Sequence, residues 1–116
     1  ALDLEADWIN YASSTVFNAF GAWPGSGDPR LIAGSPATYV TSDDPPFAIF
    51  HGTADPVVSQ HQSEAFYDLL RSAGVSASLV QVTDAPHGFP PASTTISPTR
   101  AQIVQMMADF LDSVLK

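Results

Sequence analysis

The 116 residues include four Lys and Arg against twelve Asp and Glu, a formal charge of −8 with His neutral, and 45% hydrophobic against 14% charged side chains. That is chain enough for one small folded domain, and its acidity disfavours nucleic acid and anionic membrane surfaces as partners. Cysteine is absent, which excludes disulfides and thiolate metal sites; the three histidines lack metal-ligand spacing, and no apolar run approaches the ~20 residues of a membrane span.

Residues 1–20 place Leu4, Trp8 and Tyr11 at helical spacing, and Asp3, Glu5 and Asp7 suit the positive end of a helix. Ala12 to Thr15 is rich in Ser and Thr, which weakens a helix there. Between residues 21 and 46 come Pro24, Gly25, Gly27, Pro29, Gly34, Pro36, Pro45 and Pro46, the composition of a loop with one short turn of helix. Phe47 to Phe50 is an apolar run bounded by Pro46 and Gly52, as in a buried parallel strand. A helix is predicted over 59–73, with Phe66, Leu69, Leu70 and Ala73 on one face, Ser59 as N-cap and Gly74 as its left-handed end. Ala77 to Val82 reads as a second strand, and Thr83 to Ile96 as a loop holding Pro86, Pro90 and Pro91. Ser97 as cap and Pro98 as first helical residue open a last helix. Its apolar stripe is Ile103, Met107, Phe110, Leu111 and Val114, with Met106 and Met107 as core fillers.

The order strand, helix, strand, helix predicts an α/β fold with two parallel strands joined by a right-handed crossover. Two parallel strands leave both edges open, and such pairs occur almost only inside larger covered sheets. Residues 1–45 offer helix and loop but no convincing strand. The sheet portion therefore spans 46–116, and its remaining strands are expected elsewhere. The low charge content agrees, since it leaves apolar surface that expects a partner.

In an open α/β sheet ligands sit at the carboxyl ends of the strands. There the sequence places His51-Gly52-Thr53-Ala54-Asp55-Pro56 after the first strand and Asp84-Ala85-Pro86-His87-Gly88-Phe89 after the second. A carboxylate at Asp55 could accept Nδ1–H of His87, fixing the ring tautomer and stabilising an imidazolium. The plainer alternatives are an Asp-Pro turn opener at Asp55 and an ordinary loop histidine at His87. His51 reads as structural, its ring bonded near the turn, and His61 as solvated. Trp8 and Trp23 read as packing rather than pocket walls. Asp43, Asp44, Asp68, Asp109 and Asp112 come from dispersed segments and form no metal cluster pattern.

Several segments together resemble the carboxyl-terminal part of α/β-hydrolase esterases, over about residues 30–116. They are Ser35-Pro36-Ala37-Thr38-Tyr39-Val40, Asp43-Asp44-Pro45-Pro46-Phe47, His51 to Val58, Gln62-Ser63-Glu64, Ala73-Gly74-Val75 and His87-Gly88-Phe89. The nearest group is the feruloyl/acetyl-esterase-like carboxylesterases; prolyl-oligopeptidase-type and dienelactone-hydrolase-type domains are similar but further away. The resemblance implies a partial α/β-hydrolase fold, with Asp55 as triad acid and His87 as triad base. Two departures stand out. Esterases of this kind often approach the histidine through glycines, where this sequence has Asp84-Ala85-Pro86. Neither a Gly-x-Ser-x-Gly elbow nor a His-Gly-Gly oxyanion loop occurs anywhere in the chain. Ser26 lies in turn chemistry, Ser13 and Ser14 lack a strand–turn–helix setting, and Ser35 precedes a proline, so none is expected to be the nucleophile.

The first expectation is therefore part of a carboxylic-ester hydrolase acting on a small-molecule ester through a Ser-His-Asp relay. The chain alone would be inactive and would need the missing amino-terminal half. A non-catalytic half-domain that folds by self-association and a prolyl-oligopeptidase-type peptidase are the alternatives. No cofactor is implied, because the relay needs only side chains.

Overall fold

Two six-residue strands, β1 (Phe47–Gly52) and β2 (Ala77–Val82), pair in parallel from Phe47 opposite Ala77 to Gly52 opposite Val82. The structure, a computed structural model, describes residues 3–4, 17–89 and 96–115. Among these, the two strands form a two-stranded sheet. A short helix, α1 (Pro29–Gly34), and a 3₁₀ turn over Pro36–Tyr39 precede it. Helix α2 (Gln60–Ser72) crosses between the strands, and α3 (Arg100–Leu115) follows them. Trp8, Tyr11, Ser13, Ser14, Pro90 and Pro91 lie outside the described residues.

Alternation along each strand sorts side chains onto two faces. Phe47, Ile49 and Ala77 pack with Phe66, Leu70 and Val75 of α2 and the segment after it. The Phe47 and Phe66 rings meet edge to face, with centroids 5.6 Å apart. Phe50, Val80 and Val82 turn the other way, onto Ala85, Phe89, Ile96 and Ile103. Each face is thus covered in part, most strand residues being half-buried. A third cluster joins Leu4, Phe20, Ala22 and Leu31. The amino-terminal segment is pinned to it by polar bonds. Asp3 exchanges two backbone bonds with the Gln62 amide, at 2.8 and 2.7 Å, and Leu4 N–H donates to Ser35 Oγ at 2.9 Å. Trp23 packs on Phe17, ring centroids 4.5 Å apart.

Helix α2 begins and ends where its sequence predicts. The Ser59 hydroxyl accepts from His61 N–H at 3.3 Å. Gly74, at φ 85°, makes the left-handed step that an L side chain resists. Val75 N–H then reaches Leu70 O and Gly74 N–H reaches Arg71 O, closing a Schellman motif.

Helix α3 differs from expectation in two ways. It starts at Arg100, not at Ser97-Pro98. The Ser97 backbone is committed to an antiparallel bridge with Thr83, and the Ser97–Pro98 peptide is cis. Thr99 caps the helix instead: Gln102 N–H donates to Thr99 Oγ1 and Thr99 N–H donates to Gln102 Oε1, a reciprocal capping box. Second, Met106 and Met107 are not core fillers here. Ile103 is buried, but Met106, Met107, Leu111 and Val114 are exposed. Two strands about 5 Å apart form a floor no wider than one helix. Ile103, in the first turn of α3, reaches that floor, and the rest of the stripe runs off it.

Leu70→Ala, at a fully buried position, is expected to destabilise the fold by about 2–5 kcal/mol. Leu111→Ala, on the exposed stripe, should change stability by no more than about 0.5 kcal/mol. Urea denaturation midpoints compare the two.

Candidate active site

The parallel register ends both strands at one level, so the loops 53–59 and 83–89 leave the same sheet edge side by side. Three backbone donors stitch the two strand ends and their loops together: Thr53 N–H donates to Val82 O at 3.0 Å, Ala54 N–H to Ala85 O at 3.0 Å and Asp84 N–H to Thr53 Oγ1 at 3.0 Å. Within the second loop, Ala85 N–H turns back to Val82 O at 3.3 Å. Asp84 takes the left-handed conformation, φ 62°, that a glycine would adopt freely; Asp tolerates it better than most residues. Ala85 is fully buried, and its carbonyl supplies the bond to Ala54, so the donor that Pro86 lacks is not missed. Gly52 makes this approach possible. A Cβ there would lie 2.6 Å from the Pro86 carbonyl oxygen and nearer still to that of Ala85.

Across this seam Asp55 Oδ2 accepts from His87 Nδ1 at 2.9 Å. Its other oxygen, Oδ1, accepts from Val57 N–H at 2.8 Å and Val58 N–H at 2.9 Å. The turn-capping and imidazole-holding readings of Asp55 are therefore divided between its two oxygens. The Asp55 side chain is 5% exposed and that of His87 59% exposed. Burial pushes the Asp55 carboxyl up, but the Val58 amide, the His87 ring and the Val57 amide together hold it below the usual carboxylate range. With its Nδ1–H given to the carboxylate, the neutral His87 ring carries its lone pair on Nε2, the nitrogen suited to take a proton.

His51 is buried and bonded through both ring nitrogens, to Ser63 Oγ at 2.6 Å and to the Val58 carbonyl at 2.9 Å. His61 is exposed and pairs with Glu64 at 3.1 Å. Ser35 is buried, donating to Leu31 O while accepting from Leu4 N–H, and Ser26 sits in an exposed turn. The parts that sequence reasoning missed are Gly52, Thr53 and Ser63. Gly52 closing a strand directly before a candidate loop was the available signal. Ser63 stood within the Gln62-Ser63-Glu64 segment, but nothing there pointed to a bond with His51.

Two outcomes are expected. By carboxyl ¹³C NMR, Asp55 should titrate below its ordinary value of 3.8. Because the folded value is the lower one, Asp55 stabilises the folded protein above pH 3.8, and this contribution is lost as pH falls through the folded value. Gly52→Ala should displace the 83–89 loop and abolish the hydrogen-bonded Nδ1–H signal of His87 in proton NMR.

The BD-FAE family profile matches residues 6–70, a stretch that contains Asp55 and stops short of His87. Esterase LipQ of Mycobacterium tuberculosis is 40% identical over 80 residues, which are 68% of this chain and 18% of that protein. A truncated carbohydrate esterase from gut microbiota superposes with a TM-score of 0.63 at 30% identity, covering 78% of this chain and 29% of the other. The native thermophilic esterase Est2 of Thermogutta terrifontis gives a TM-score of 0.66 at 25% identity, covering 88% of this chain and 34% of the other. The chain thus spans well under half the length of each relative. With its profile match extending over more than half of these residues, the chain belongs to the BD-FAE family of α/β-hydrolase esterases, whose α/β fold it carries in part.

Proposed function

We propose that the chain supplies the acid and the base of a serine-esterase relay, Asp55 and His87, with residues 46–116 as the carboxyl-terminal portion of the hydrolase domain. One observation carries this reading: the bond of 2.9 Å from His87 Nδ1 to the buried Asp55 carboxylate at a shared strand edge. Nε2 of His87 takes the proton of a serine hydroxyl as that oxygen attacks an ester carbonyl, and the Asp55 charge stabilises the imidazolium. Collapse of the tetrahedral intermediate expels the alcohol, which takes the proton back from Nε2. Water, activated by the same nitrogen, then hydrolyses the acyl-enzyme and releases the carboxylic acid. The serine and the oxyanion donors come from outside these 116 residues, consistent with relatives several times longer. The substrate class is a carboxylic ester, in line with the esterase names of those relatives. None of them is named as a peptidase.

A second reading has its own observation. Val104, Leu111 and Leu115 of α3 are 58%, 52% and 79% exposed. A contiguous apolar helix face of this kind marks an interface. In the relay reading the rest of the hydrolase domain covers it. In the alternative a second copy does, and the chain is a self-associating module without catalysis.

The test uses the full-length protein and p-nitrophenyl acetate. Turnover is expected, and His87→Ala should lower kcat by on the order of 10⁴-fold. Undiminished turnover in His87→Ala overturns the relay. Sedimentation velocity on the 116-residue chain addresses the module reading: a discrete inactive dimer supports it, and a monomer counts against it.

A further inference from the structure

His51 sits at the end of β1, 8% exposed, outside the pair described above. Its Nε2 lies 2.9 Å from the Val58 carbonyl, which can only accept, so the ring proton resides on Nε2. Nδ1 is then left to accept the Ser63 hydroxyl proton at 2.6 Å. Ser63 is itself buried, in the first turn of α2. Both ring nitrogens are committed, and one neutral tautomer satisfies both contacts.

The consequence falls on the turn that presents the acid. Val58 N–H donates to Asp55 Oδ1 at 2.9 Å while Val58 C=O accepts from His51, so this residue is held from both sides. The 55–58 turn is thereby tethered to β1 through the ring and to α2 through Ser63. In addition, His51 Nε2 stands 3.5 Å from Asp55 Oδ2, the oxygen that receives His87. The ring thus lies beside that carboxylate oxygen while its N–H is spent on the Val58 carbonyl.

We propose that His51 is a positioning residue for the triad acid: its Nε2–H anchors the Val58 carbonyl and so fixes the turn that aims Asp55 at His87. The proposal rests on the relay reading. Loosening the turn misplaces the acid without touching substrate contacts, so the effect belongs in kcat and not in KM.

Two substitutions separate donor from volume. His51→Gln can place an amide N–H near the Nε2 position and keep the bond to Val58. His51→Asn reaches only the Nδ1 position and loses it. In the full-length protein with p-nitrophenyl acetate, His51→Asn should lower kcat about 10–100-fold with KM unchanged, and His51→Gln should recover most of that loss. Equal behaviour of the two variants overturns the proposal. Selective ¹⁵N-histidine NMR supplies a readout that requires no variant to fold: a wild-type His51 protonated on Nδ1 instead of Nε2 overturns it outright. The same spectra separate this failure from failure of the relay. If His87→Ala retains full turnover, the relay reading falls, yet a shift of the His87 Nδ1–H resonance in His51→Asn still shows that His51 sets the Asp55–His87 contact. No such shift in a folded His51→Asn protein removes the positioning role even where the relay stands.

Discussion

Equal height of two parallel strands is the constraint on which the site depends. Gly52 faces Val82, so the loops that follow depart together and can exchange backbone bonds at once. A slip of one residue would move one loop by about 3.3 Å, more than the whole length of the bond between Asp55 and His87. It would also reverse the faces of that strand, taking Phe47 and Ile49 away from α2. The packing that fixes the register and the geometry that sets Asp55 beside His87 are therefore one constraint. Gly52 makes it stricter, because the Ala85-Pro86 backbone occupies the space of a side chain.

The two partners sit in opposite environments. The carboxylate is buried, where the Val57 and Val58 amides and the ring of His87 hold its charge. The imidazole is exposed and so can meet a reacting group from elsewhere. A buried anion without those donors would be protonated or would open the turn. With them, the residue that shapes the loop also orients the His87 ring, and a single side chain does both.

Much of this was legible in the sequence, for identifiable reasons. The first strand was visible as a short apolar run between Pro46 and Gly52, and the second as the Val- and Leu-rich stretch Ala77 to Val82. Helix α2 carried its own boundaries in Ser59 and Gly74. The juxtaposition of residues 55 and 87 followed from loop order at one sheet edge. The start of α3 was misread because Ser97-Pro98 has the local chemistry of a cap, whereas its backbone is taken by Thr83, a partner 14 positions away that no local pattern reveals. The actual box, Thr99 with Gln102, was present in the sequence and was masked by the more conspicuous pair. For the α3 stripe, periodicity reported a face but not what covers it. His51 could be read as structural, but its link to Asp55 runs through the Val58 backbone, which only the fold brings to the ring.

The division of Asp55 between its two oxygens has a chemical corollary for an isosteric amide. At an asparagine the Val57 and Val58 amides would keep the carbonyl oxygen on their side, because they can only donate. The NH₂ group would then occupy the Oδ2 position and face His87. Two donors cannot share that contact, so the imidazole would move its proton from one nitrogen to the other and present Nδ1 as acceptor. The loop would hold its shape, and the ring would be left with its lone pair turned inward.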